Sequence, residues 1–244
     1  MRFQDCIFDL YGTLVDIHTE ERLPRLWQRL SACYAEHGAP YQPDELQDEY
    51  FNTVREMERG VPMREDAHEA HPEIKLEQVF LRLFQVKGVN ASPELAVQTG
   101  ELFRRESLIY IRLYDGAIEL LKTLRADGRR LWLLSNAQRI FTMYELRSLG
   151  LEEYFDGIYL SSDYGCKKPD RRFFEILLKE RGIRPESAVM IGNDGLCDIA
   201  GAKAVGLSTV YIRSNISPIE PLPEADFVLE TMDLHKLKRI LTSE

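Results

Sequence analysis

The period of the apolar positions changes twice along the chain. Residues 3–8 carry Phe3, Cys6, Ile7 and Phe8 in a short run that stops at Asp9, where Tyr11-Gly12-Thr13 turns the chain. Such a run suits a buried strand. From about Asp16 to Arg112 the chain instead carries long charged, amphipathic stretches: Leu23–Glu36, Pro43–Glu58, Ile74–Val86 and Pro93–Tyr110. In the third, Ile74, Val79, Phe80, Leu83 and Phe84 recur at helical spacing. Pro40, Pro43, Pro62, Pro72 and Pro93 fall near helix starts or loops. No strand pattern is visible here, and the stretch predicts an all-helical insert of roughly four helices.

From Asp115 onward strands and helices alternate. The pattern predicts a helix over Asp115–Ala126, with Asp115 as N-cap and Gly128 as stop, then a strand over Leu131–Leu134. Helix Gln138–Leu149, strand Gly157–Leu160, helix Arg171–Arg181 and strand Ala188–Ile191 follow. Helix Leu196–Val205, strand Thr209–Ile212, a short edge strand Phe227–Leu229 and helix Asp233–Leu241 complete the chain, with Asn215–Pro223 as a loop. Short apolar strands between amphipathic helices imply an α/β fold, a doubly wound (Rossmann-like) parallel sheet covered on both faces. The core comprises residues 1–15 and 113–244, and the helical insert residues 16–112. Ligands of such sheets bind beyond the carboxyl ends of the strands. Asp9, Ser135 and Asn193-Asp194 each stand immediately at or after such an end.

Composition narrows the possibilities. With 244 residues, 44% of them hydrophobic, the chain can bury a full core. A net charge of −9 argues against nucleic acid or an anionic membrane surface as partners, and any phosphate site must be made locally positive. Cys6, Cys33, Cys166 and Cys197 are scattered, which reads as reduced thiols in the cytoplasm. Met1 to Leu10 suits a first strand rather than a secretion signal, and no stretch reaches membrane-span length.

Each candidate for chemistry has a plainer reading. Asp9 is a turn cap or a nucleophilic carboxylate at a strand tip. Gly12 lets a ligand approach the backbone, and its amide can bind an anion. Ser135 and Asn136 cap the next helix or donate hydrogen bonds to an anion. Lys168, before Pro169-Asp170, is a solvated lysine or the cation that neutralises a carboxylate and a phosphate; Lys167 competes for that role. Asp194 and Asp198, after Gly192-Asn193, cap a helix or share one of its faces around a cation. With Asp9 they make an all-oxygen set suited to magnesium.

Order and placement make these segments specific together. Asp9-Leu10-Tyr11-Gly12-Thr13, Ser135-Asn136, Lys168-Pro169-Asp170 and Gly192-Asn193-Asp194…Asp198-Ile199-Ala200-Gly201-Ala202 resemble the four ordered motifs of the haloacid dehalogenase superfamily. The resemblance implies that the helical insert is a cap. It implies a hydrolase in which Asp9 attacks phosphorus and becomes an aspartyl phosphate. It further implies that Mg2+ is held by Asp9, the Tyr11 carbonyl and Asp194, or its neighbour Asn193, with Asp198 in support. Ser135 would hold phosphoryl oxygens, with Asn136 nearby, and Lys168 would balance charge. The substrate would be a small phosphorylated metabolite.

One position departs from that pattern. Phosphatases of the superfamily usually carry a second Asp two residues after the nucleophile, as acid and base; here Tyr11 stands there. Tyrosine at this place resembles the 2-haloacid dehalogenases, whose departing halide needs no proton. Carbon–halogen hydrolysis is therefore the alternative reading, although the acidic fourth motif speaks against it. A third reading is a non-catalytic regulatory protein that kept the metal site. In the insert, Arg22, Arg25, Arg29, Arg55, Arg59 and Arg64 are candidates to reach a substrate anion, or solvated partners of nearby glutamates. His68 and His71 read as surface loop rather than metal ligands, and Trp27 and Trp132 as packing residues. Substrate identity and oligomeric state stay open.

Overall fold

The computed structural model describes residues 3–60, 73–219 and 221–242. Pro62, Arg64, His68, His71 and Pro72 lie outside the described residues. Strand β1 (Asp5–Phe8) leads through a tight turn into β2 (Val15–Thr19). Four helices follow: α1 (Pro24–Glu36), α2 (Pro43–Gly60), α3 (Leu76–Val86) and α4 (Pro93–Ser107). Strand β3 (Leu108–Leu113) returns the chain to α5 (Ala117–Ala126), β4 (Arg130–Ser135), α6 (Arg139–Ser148) and β5 (Gly157–Leu160). Then come α7 (Ser161–Tyr164), α8 (Arg171–Arg181), β6 (Ala188–Gly192), a π-helical turn over Gly195–Ala200 and α9 (Gly201–Ala204). Strands β7 (Ser208–Ile212) and β8 (Phe227–Leu229) and helix α10 (Leu234–Thr242) complete the described chain.

Six strands form one sheet in the order β5-β4-β1-β6-β7-β8, and every neighbouring pair is parallel. Chain order reverses beside β1, the doubly wound arrangement, and the reversal opens a crevice at the carboxyl ends of the strands. Alternate residues face opposite layers. Cys6, Phe8, Leu131, Leu133, Val189 and Ile191 pack in one, and Ile7, Trp132, Leu134, Ala188 and Met190 in the other. Because both faces are buried, these strands read as continuous apolar runs. Asp5 is fully buried at the start of β1, and its carboxylate accepts bonds from Trp132 Nε1 (2.8 Å) and Arg130 Nη2 (2.7 Å). Those partners offset the cost of burying the charge.

The four helices α1–α4 have their own core, built around Trp27, Tyr34, Tyr50, Phe80, Phe84 and Phe103. Complete burial of an aromatic of this kind stabilises by about 1.5–3 kcal/mol. Phe141 of α6 joins this cluster and ties the helical unit to the sheet-based core. Trp27 and Trp132 are both buried, in the two separate cores.

Three expectations need correction. The insert is not all-helical: α4 stops at Ser107, and Leu108–Leu113 pairs antiparallel with Val15–Thr19. Ile109, Tyr110 and Ile111 favour strand, but the ribbon is half-exposed and lacks the apolar run that marks a core strand. Asp115 does not cap α5; Gly116 does so in a left-handed conformation, and the Asp115 side chain is fully exposed. The helix expected over Leu196–Val205 is a π turn followed by the short α9. Among the described residues no helix is long and apolar enough to cross a membrane.

Candidate active site

The crevice at the strand ends gathers residues from four separated segments. Asp9 directly follows β1, and its amide donates to the Ile191 carbonyl (2.9 Å), which continues the register with β6. Ser135 is the last residue of β4, and Asn193 and Asp194 follow β6. Lys168 arrives on the loop between α7 and α8. Together with Tyr11, Asn136, Cys197 and Asp198 these residues line a cavity of about 200 Å³, closed on one side by Ile216 and Pro218.

Lys168 is the centre of this arrangement. It is 2% exposed, and its ammonium donates to Asp9 Oδ1 (2.8 Å), Asp198 Oδ1 (2.6 Å) and the Leu134 carbonyl (2.8 Å). Burial works against the charge, but Asp198 and Asp9 outweigh it and hold the ammonium above the ordinary lysine value. Burial pushes the Asp198 carboxyl up to about 7, against the pull of Lys168. The other Asp198 oxygen accepts the Asp194 amide (3.0 Å), so this carboxylate fixes both the lysine and the turn. Gly192 makes the approach possible, since a Cβ there would stand 2.2 Å from Asp198 Oδ2. Lys167 is only half-buried and does not line the cavity.

Neighbouring groups hold Asp9 and Lys168 in place. Ser135 Oγ donates to Asp9 Oδ1 (3.3 Å), and Thr13 Oγ1 to Asp9 Oδ2 (3.3 Å). Asn136 clamps the Lys168 backbone from both sides: its Oδ1 accepts the Lys168 amide (2.7 Å) and its Nδ2 donates to the Lys168 carbonyl (2.9 Å). One of its two amide protons is thus given to the lysine carbonyl. Gly12 likewise gives its amide to the Val15 carbonyl (2.8 Å), inside its own turn. Its lack of a side chain serves another purpose. At φ +87° a Cβ would stand 2.3 Å from Asn193 Nδ2, so only glycine lets that amide lie under the turn.

Asn193 and Asp194 divide the work expected of either one. Asn193 is buried; its Oδ1 faces Thr13 Oγ1 (3.4 Å), and its Nδ2 faces Ser217 Oγ (3.3 Å) and Ser214 Oγ (3.4 Å). Asp194 caps the π turn, with Oδ1 accepting the amides of Leu196 (2.9 Å) and Cys197 (2.7 Å), and still lines the cavity. The capping role and a site role therefore coexist in one side chain.

Tyr11 is directed to α6. Its hydroxyl donates to Glu145 Oε2 in a short hydrogen bond and contacts Thr142 Oγ1 at 3.0 Å. Burial first, and the Glu145 charge second, push its phenol well above the ordinary tyrosine value. Glu145 is 6% exposed and receives Arg104 Nε (2.7 Å) and Nη2 (3.3 Å) from α4. Arg104 thus links α4 of the helical unit through Glu145 to Tyr11 of the cavity lining. Arg22, Arg25, Arg29, Arg55 and Arg59 are exposed and do not line the cavity. Sequence reasoning missed Arg104, Thr142 and Glu145. A signal existed for Glu145, which shares the buried stripe of α6 with Phe141, Thr142 and Leu146, an odd place for a charge. A separate apolar cavity of about 460 Å³ between α4 and α6 is lined by Arg104 and Glu145 and by no residue of the first cavity.

The donor set suits a divalent cation. Three carboxylates, Asp9, Asp194 and Asp198, face a single ammonium in the cavity lining, leaving surplus negative charge. Asp9, Asp194, the Asn193 amide oxygen and the Tyr11 carbonyl are the donors that could hold the cation, with Asp198, bonded to Lys168 and the Asp194 amide, in support. These are hard oxygen donors of the kind magnesium takes with a few waters, and they fit it. Among the described residues no group of three or more His, Cys, Asp or Glu is spaced to hold a metal ion.

A doubly wound sheet with a carboxylate–lysine–carboxylate bridge beyond the carboxyl ends of its strands defines an α/β protein with a charged crevice at its switch point. The chain belongs to the haloacid dehalogenase-like hydrolases, whose family model matches residues 6–206. It is 32% identical to a phosphoserine phosphatase of Thermus thermophilus over 161 residues, which cover 66% of this chain and 63% of that protein, under two thirds of its length. It is 24% identical over 212 residues to a glyceraldehyde 3-phosphate phosphatase of Pyrococcus furiosus, covering 87% of this chain and 81% of the relative. The crystal structure of a 2-haloacid dehalogenase from Pseudomonas syringae shares the fold with a TM-score of 0.65 at 20% identity, covering 98% of each chain.

Proposed function

We propose that this hydrolase releases phosphate from a small phosphorylated metabolite, with Asp9 as covalent nucleophile and magnesium as cofactor. The observation that carries the reading is Lys168 bridging Asp9 and Asp198 in a buried cavity whose lining has more carboxylates than cations. Lys168 and Ser135 orient one Asp9 oxygen, and Thr13 contacts the other. The carboxylate is thus held in one geometry for in-line attack. Asp9, the Tyr11 carbonyl, Asp194 and Asn193 would hold the metal. When bound, the cation supplies the positive charge that a transferring phosphoryl group requires. Similarity to phosphatases of phosphoserine and glyceraldehyde 3-phosphate supports the class of reaction. Residues 1–15 and 113–244 serve as catalytic core, and residues 16–112 as a cap that excludes water from the reaction. Four free cysteines suit a cytoplasmic location.

Tyr11 favours a second reading, dehalogenation of a 2-haloacid through an ester on Asp9. The excess of carboxylates opposes it, because such a substrate is itself a carboxylate. The deciding experiment measures phosphate release from p-nitrophenyl phosphate and a metabolite panel, with and without magnesium, beside chloride release from 2-chloropropionate. The expected outcome is magnesium-dependent phosphate release, lost by a factor of about 10³ or more in Asp9→Asn. Chloride release without metal would establish the dehalogenase instead. Activity toward neither class of substrate would leave the non-catalytic reading standing.

A further inference from the structure

The phosphatase reading, on which this inference rests, extends to the chemistry of the leaving group. The relevant observation is where each donor in the cavity lining spends its proton. All three Lys168 ammonium bonds are taken, by Asp9, Asp198 and the Leu134 carbonyl. Ser135 donates to Asp9, and Asn136 donates to the Lys168 carbonyl. Asn193 Nδ2 turns to Ser214 and Ser217. The Tyr11 hydroxyl, two positions beyond the nucleophile, gives its proton to Glu145 on α6. Glu145 is itself held by Arg104 from α4. Among the described lining side chains, the Lys168 ammonium, the Ser135 hydroxyl and the Tyr11 phenol therefore each direct their protons to acceptors within the protein, and the phenol does so away from the strand ends, on α6.

We propose that the substrate is a phosphoryl donor whose leaving group departs as a stable anion without being protonated: an acyl phosphate, a phosphoric anhydride or an ester of an acidic hydroxyl. In the first half-reaction an Asp9 oxygen gives its electron pair to phosphorus and a P–O bond forms. The bond from phosphorus to the leaving oxygen breaks, and its electron pair leaves with that oxygen. No proton moves. Glu145 and Arg104 are positioning residues in this scheme. They keep the Tyr11 phenol turned to α6, and they do so from two different parts of the fold. An ordinary sugar or serine phosphate, whose alkoxide is strongly basic, is a poor substrate for such a site.

The test is a leaving-group series on the full-length protein with magnesium present. It uses aryl phosphates spanning about three units of phenol pKa, with acetyl phosphate and β-glycerophosphate as the two extremes. The expected result is that kcat/KM falls by about three- to tenfold per unit of leaving-group pKa. Acetyl phosphate should turn over and β-glycerophosphate should be near background. Tyr11→Phe should leave the slope as steep as in the wild type, whatever it does to absolute rates. A profile flat to within about twofold across the series overturns the inference while leaving the phosphatase reading intact. So does a slope that steepens markedly in Tyr11→Phe, which would make the phenol the proton donor. Failure of every phosphoryl donor to release phosphate overturns both readings together.

Discussion

Lys168 shows how a single residue sets the character of the site. A lysine beside a proline in a loop is ordinarily solvated. Here it is 2% exposed and forms ion pairs with Asp9 at the end of β1 and Asp198 in the π turn after β6. Removing one member of such a buried group leaves unpaired charge. Lys168→Met is expected to cost about 3–5 kcal/mol of stability, read from the urea midpoint. Adding Asp198→Asn to that variant should recover part of the loss, because one of the two stranded carboxylates is then neutral. Equal stability of Lys168→Met and wild type would mean that the bridge contributes nothing to the fold. The pattern of the chain placed Lys168 near the site but could not choose between it and Lys167. Adjacent residues point in different directions, and only the packed loop reveals which one is buried.

At the scale of the element, the ribbon formed by β2 and β3 is the main surprise. Asp16 on β2 is buried; its carboxylate accepts from Arg112 Nε (2.9 Å), Tyr110 OH (3.2 Å) and Asn215 Nδ2 (2.9 Å). Burial opposes the charge, but the bonds from Asn215, Arg112 and Tyr110 hold the carboxyl below its usual value. Asn215 also accepts from Tyr114 OH (2.6 Å), so the ribbon is tied to the loop whose Ile216 and Pro218 line the candidate site. A depressed folded-state pKa stabilises above the unfolded value of about 3.9, and the contribution is lost as pH falls through the folded value. Asp16→Asn should therefore lower the melting temperature most near neutral pH, with the gap to wild type closing as pH falls below about 4. A gap that stays constant across that range would assign the loss to packing instead. The ribbon was hidden in the sequence because its strands are half-exposed and 88 residues separate the end of one from the start of the other. Its pairing partner, not its own pattern, makes each a strand.

At the scale of the whole molecule, two hydrophobic cores meet along α4 and α6, with Phe141 and the Arg104–Glu145 pair at their junction. The negative charge of the cavity and the net charge of −9 act in the same direction, so a bound divalent cation relieves repulsion as well as filling a site. A ligand that binds only the folded state stabilises it by about 2.7 kcal/mol at a hundredfold excess over its Kd. Magnesium should accordingly raise the melting temperature of the wild type by several degrees, measured by scanning calorimetry, roughly 2–4 °C per kcal/mol for a chain of this size. Asp194→Asn should reduce the shift strongly. An undiminished shift in that variant would remove Asp194 from the set of ligands and leave Asn193 in its place.

What the sequence determined by itself was the doubly wound core and the ends of its strands. Two-sided burial writes itself as continuous apolar runs, and polar residues at the strand tips stand out against them. The edge strands Gly157–Leu160 and Phe227–Leu229 and helix Arg171–Arg181 also match the pattern to the residue. Asp9, Ser135, Asn193 and Asp194 were visible because a local pattern ends at each. Tertiary structure alone decided which bonds these groups spend on one another. The Asn136 clamp, the choice of Lys168 and the Tyr11–Glu145–Arg104 chain all join residues more than 30 positions apart. Contacts of that kind leave no periodic trace, because a hydrogen bond across the fold constrains two side chains in space and says nothing about the residues between them.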